Sequence, residues 1–122
     1  MDTNSKIVFL EENGVDAKPS IENMMGIENY DEIMTDFYNE LPNDLAKIDA
    51  FKSSQDMPNY AILVHALKSN ARSFGFMKLG DIAYAHEMAS KAGDVNYVNE
   101  HYDELINAAK NVQDIIGKYK AL

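Results

Sequence analysis

Apolar side chains recur three and four residues apart along most of this chain, the period of helices that bury one face. Glycine and proline, six and three in all, are too sparse for the many turns of a sheet protein. The pattern predicts an all-α fold. "SKIVFLEENG" reads as a short helix stopping at Gly14, and "PSIENMMG" as a second, with Pro19 near its first turn and Gly26 at its end. "NYDEIMTDFYNEL" sets Ile33, Phe37 and Leu41 on one stripe, and "NDLAKIDAFKSS" continues it with Leu45, Ile48 and Phe51. Pro42 falls between them, so residues 28–54 form either one kinked helix or two abutting ones. A further helix is predicted from Pro58 to Phe74, with Gly75 as its stop, and another from Lys78 to Lys91. The last and longest, Val95 to Lys120, carries Val98, Tyr102, Leu105, Ala109, Val112 and Ile116 on one face.

Short links between the later helices imply antiparallel neighbours. The expected architecture is an up-and-down antiparallel four-helix bundle over about residues 28–121. Short extra N-terminal helices, about residues 3–26, should pack against one end. No repeat or linker divides the chain, so residues 1–122 read as a single domain.

Composition then removes several functions. Twenty acidic against eleven basic residues leave a formal charge of -9, the wrong sign for a nucleic-acid backbone. With no cysteine there is neither disulfide nor thiolate metal site, and a reducing compartment is the easier fit. No apolar run approaches the ~18 residues of a membrane span, and "KIVFL" is too short for a secretory leader. A cytoplasmic location is the expectation. The glycines form no G-x-G, so no phosphate-cradling loop for ATP is visible and no cofactor is expected.

The candidate chemistry lies in "AILVHALKSNARSFGF", Ala61 to Phe76. Advancing about 100° per residue, Leu63, Phe74, Leu67, Tyr60 and Ala71 share an arc of about 80° centred nearly opposite His65. Ser69, Ile62, Lys68, Ala61 and Arg72 fall within about 60° of the histidine on either side. His65 therefore points outward, between small residues that leave its ring open and two cations suited to hold an anion. Arg72 is the only arginine in the chain. An accessible imidazole near neutral pH is a nucleophile, and with cations beside it the natural reading is a phosphoryl acceptor.

"HALKSNARSFGFMKL" resembles the signature of histidine-containing phosphotransfer (HPt) domains in the spacing of His65, Leu67, Lys68, Ser69, Ala71, Gly75 and Leu79. Glu87 matches the acidic residue that often follows in the next helix, and "NGVDAKPSIENMMGIENYDEIMTDFYNEL" is similar to the family's lead-in. The resemblance implies a four-helix bundle whose histidine takes a phosphoryl group from a receiver-domain aspartate and passes it to another receiver. It likewise implies a phosphocarrier of a two-component relay, without its own kinase activity. Carried over, His65 is the phospho-acceptor, Lys68 neutralises the phosphoryl group, and Ser69, where glycine is commoner, keeps the approach open. Ala61, Ile62, Ser69 and Gly75 are the expected contacts with response-regulator receivers, including that of a hybrid sensor kinase. Arg72 is assigned to steering the partner. Gly75 also reads simply as a helix cap.

His86 stands where the family is usually apolar and reads as a partly buried histidine satisfied by a neighbour. Two other classes compete: a helical-bundle interaction module without phosphotransfer, and a metal site built from His65, His86 and His101. The second lacks any H-x₃-H or E-x-x-H pairing.

Overall fold

A computed structural model describes all 122 residues. It contains seven helices: α1 (Thr3–Glu12), α2 (Ala17–Asn23), α3 (Ile27–Ser53), α4 (Met57–Phe74), α5 (Met77–Lys91), α6 (Val95–Glu100) and α7 (Tyr102–Lys120). α3, α4, α5 and α7 close a ring in which each packs on the next, and α4 against α5 is the most extensive pair. α1 and α2 brace this bundle through α7, α3 and α4. No helix is long and apolar enough to cross a membrane.

The apolar stripes explain the assembly. Tyr30, Met34, Phe37, Leu41 and Ile48 of α3 meet Tyr60, Val64, Leu67, Ala71 and Phe74 of α4, all buried in one core. Leu105, Ala109, Val112 and Ile116 of α7 close its far side. Phe74 stacks on Phe37 with centroids 5.3 Å apart and meets Tyr30 edge-on at 5.7 Å. The Tyr30 hydroxyl donates to the Phe74 carbonyl at 2.8 Å, satisfying a buried group at the end of α4.

Both ends of α4 are fixed. The Asp56 side chain accepts from the backbone N–H of Asn59 at the start. At the finish Gly75 turns left-handed (φ 92°), its N–H bonding Arg72 and that of Phe76 bonding Ala71, a Schellman cap. A Cβ on Gly75 would lie 2.2 Å from the Asp16 carbonyl oxygen, and Asp16 N–H donates to the Gly75 carbonyl at 3.0 Å. Glycine is thus required twice over, and the α1–α2 link is stapled to the helix that carries His65.

One open choice is settled and two expectations change. Residues 27–53 form one helix through Pro42, which sits on an exposed face where its missing N–H faces water. This 27-residue helix is the longest, and the predicted Val95–Lys120 helix, one residue shorter even if unbroken, breaks at His101 (φ -106°, ψ 10°). At the break the His101 carbonyl accepts from His86 Nε2 at 3.0 Å as well as from Leu105 N–H at 3.3 Å, a tertiary bond beside the helical one. Thirdly, the buried face of α4 is turned toward Ala61, which is only 5% exposed, while Leu63 is half-buried. α4 packs against α3 on one side and α5 on the other, widening its buried arc.

Candidate functional site

Small residues bring α4 and α5 together. Gly80 and Ala83 are buried on α5, and a Cβ on Gly80 would meet Arg72 Cγ at 2.6 Å. That closeness lets side chains bond across the pair. Glu87 of α5, with its side chain 3% exposed, reaches His65 and Lys68 of α4 and Lys91 one turn along its own helix.

Each Glu87 oxygen has a distinct role. Oε1 accepts from Lys68 Nζ at 2.7 Å, and Oε2 from both His65 Nδ1 at 2.8 Å and Lys91 Nζ at 2.7 Å. Burial pushes this carboxyl up, but the bonds from Lys68, Lys91 and His65 outweigh it and bring it down to about 2. Glu87 is therefore an anion at neutral pH. A carboxylate only accepts, so Nδ1 of His65 carries a proton, and in the neutral ring Nε2 keeps its lone pair. Lys68 Nζ is 3.3 Å from Nδ1, a proximity without a bond, since both are donors.

His65 stands on the exposed side of α4, its side chain 56% accessible, and no side chain bonds Nε2. A hollow lined by Pro58, Ala61, Ile62, His65, Ser90 and Lys91 opens beside the ring. Ile62 is 64% exposed and Ser69 is also exposed. The site is an oriented imidazole with open access.

Four sequence assignments take a different place. Ala61 lies at the floor of the hollow and is buried by α5, so it leaves room without offering a protruding contact. Gly75 is buried in the α4 cap and presents no surface. Arg72 lies across Gly80, with Nη2 3.2 Å from Asp81 and its guanidinium 5.3 Å from the Tyr84 ring centre, so a carboxylate of its own chain already engages it. Lys68 is 14% exposed, on the Nδ1 side of the ring, with Nζ 5.3 Å from the Tyr84 centroid. Lys91 escaped notice, although its i,i+4 spacing from Glu87 is legible in the sequence.

His86 is fully buried, beyond the partial burial expected. Its Nε2–H donates to the His101 carbonyl, which leaves Nδ1 to accept from the Tyr60 hydroxyl at 2.8 Å. Burial lowers its pKa and holds the ring neutral. Both nitrogens are thus committed to the protein, and His65 is committed to Glu87.

A helical bundle that presents one oriented imidazole from a central helix, without a nucleotide loop, is the frame of a phosphoryl carrier. The family model described as Hpt domain matches residues 32–115, well over half of the chain, and the chain belongs to that family. Comparison with curated proteins and with solved structures gives no match. Membership makes this a histidine phosphotransfer domain of two-component phosphorelays, with receiver domains as its class of partner.

Proposed function

We propose that His65 is the phospho-acceptor and that Nε2 is the atom that takes the group. The single observation carrying this is the 2.8 Å bond from Nδ1 to the Glu87 carboxylate. It leaves the reactive lone pair on the outward nitrogen. In the forward step Nε2 attacks the phosphorus of an aspartyl phosphate on a receiver domain. The P–Nε2 bond forms as the P–O bond breaks, and the aspartate leaves with the electron pair as a carboxylate. The ring becomes cationic, and its Nδ1–H keeps donating to Glu87, which stabilises that charge. Unloading to a second receiver reverses these bond changes. Little covalent machinery is needed from the bundle, because phosphoryl transfer depends mainly on positioning and charge.

The receiver would dock over the hollow beside His65, with Ile62 lining it and the exposed Ser69 one turn further along α4. All seven helices would act as one unit, since Leu10, Val15 and Ala17 of the N-terminal section join the common core. A receiver-facing role favours a cytoplasmic location. The direction of transfer and the identity of each receiver are set by the partners available.

Incubation with a phosphorylated receiver domain tests the assignment. It should give an acid-labile, base-stable phospho-protein, and His65→Gln should abolish labelling with little change in thermal stability. Labelling that persists in that variant would overturn it, and a bundle never labelled by any receiver would favour a pure interaction module.

A further inference from the structure

A second hollow lies where the α1–α2 link, the start of α5 and α7 meet, and it shares no residue with the one beside His65. Its volume is about 330 Å³, within the range of small-molecule sites. The walls are apolar, with Phe76, Leu79 and Ile82 on one side and Val112 and Ile115 of α7 on the other. Its polar groups are few and ordered along its length. His86 bonds the His101 carbonyl, so α5 ends beside the start of α7 and begins beside its later turns. Lys78, in the first turn of α5, therefore stands toward Asn111, and Glu104 stands at the opposite end. Lys78 forms no ion pair, and Glu104 meets only His101 Nδ1, at 3.6 Å. Asn13 spends its amide on the Phe9 carbonyl at 2.8 Å, whereas those of Asn107 and Asn111, exposed and one turn apart, bond no protein group.

We propose that this hollow binds a short apolar peptide with free ends, about three residues long. The peptide's carboxylate meets Lys78 and its ammonium meets Glu104. The amides of Asn107 and Asn111 each offer donors and an acceptor to the peptide bonds between, and the apolar side chains cover the walls. The spacing fits: positions 104 and 111 are about 10 Å apart along α7, the reach of three extended residues. A fatty acid would set its tail against Glu104, and a diamine would bring a like charge to Lys78. Only a ligand of opposite charge at its two ends satisfies both. The acceptor role of His65 does not enter this reading.

Trileucine titrated into the full chain is the probe, followed by ¹H–¹⁵N spectra. The side-chain amides of Asn107 and Asn111 and the backbone of Gly14 should shift saturably, with a Kd at or below about 1 mM. Trileucine amide and N-acetyl-trileucine should each bind about tenfold more weakly, having lost one charge-assisted contact. Lys78→Gln should weaken free trileucine to the level of the amide and erase the difference between those two forms. Glu104→Gln should do the same for the acetylated form. Both residues are exposed, so the fold is kept. Triglycine, with the same ends and no apolar side chains, should not saturate. Blocked peptides that bind as tightly as the free one, triglycine that binds equally well, or shifts that spread over the surface without saturating would each overturn the proposal.

Discussion

Tyr60 and His65 lie five residues apart on α4 and serve opposite sides of the bundle. Tyr60 points inward, its hydroxyl 2.8 Å from His86 Nδ1, while His65 faces out toward Glu87, the residue after His86. Adjacent residues of α5 thus read the inner and outer faces of α4. Tyr60→Phe leaves His86 Nδ1 buried without a donor, which costs about 1–3 kcal/mol. Urea denaturation should register that loss, with phosphorylation of His65 by phosphoramidate nearly unchanged. An equally large fall in labelling would mean that the two faces are not separable.

His86 should also give the fold a pH dependence. Tyr60, Tyr97, His101 and Glu104 surround the ring or bear on its charge, and burial lowers its pKa below the usual 6.5. The unfolded chain then binds a proton that the folded one refuses. Stability from this group is complete above about 6.5 and declines as pH falls through the depressed folded value. Unfolding free energies at pH 7.5 and 5.5 should differ more in wild type than in His86→Gln. Equal differences would assign the pH dependence elsewhere.

Glu87 acts over a lower range. Its folded pKa of about 2, against an ordinary value of 4.5, means that its contribution is full above 4.5 and is lost as pH falls toward 2. The stability gap between wild type and Glu87→Gln should close over that window. At neutral pH Glu87→Ala removes a charge-assisted bond of about 1.5–3 kcal/mol. With tenfold in rate per ~1.4 kcal/mol, labelling should slow by about 10–100-fold. Wild-type labelling in Glu87→Ala would show that the Nδ1 bond does not orient the ring.

Gly75→Ala should be among the most damaging single changes. It combines left-handed strain with a close approach to the Asp16 carbonyl, together about 2–4 kcal/mol. Gly14 has a similar φ of 80° with nothing near its missing Cβ, so Gly14→Ala should cost clearly less in thermal melts. Equal costs would leave strain alone as the cause.

One turn beyond His65 on the exposed face of α4, Ser69→Trp should slow transfer from a receiver while leaving phosphoramidate labelling intact. Slowing with both donors would place the bulk on the reactive nitrogen rather than on the docking surface.

The fold was largely readable because each bundle helix carries its own stripe, as Phe37 and Leu41 do on α3. What escaped the sequence is tertiary. Nothing within Val95–Lys120 signals the break at His101, where His86 bonds in from another helix. The wheel of α4 placed His65 correctly outside but set Ala61 beside it, because a wheel assumes a single packing direction. Glu87 was noticed as a motif residue. Its three-way bonding depends on how closely Gly80 lets α4 and α5 approach.

The clamping of α4 at both ends has a consequence for recognition. Asp56 holds the start, and Tyr30, Gly75 and the Asp16 link hold the finish. On the proposed docking at His65, a receiver meets a helix already fixed at both ends, so α4 has little conformational entropy to lose. Encounters can then be brief and frequent without each one demanding a rearrangement. That suits a carrier that must release every partner as readily as it finds the next.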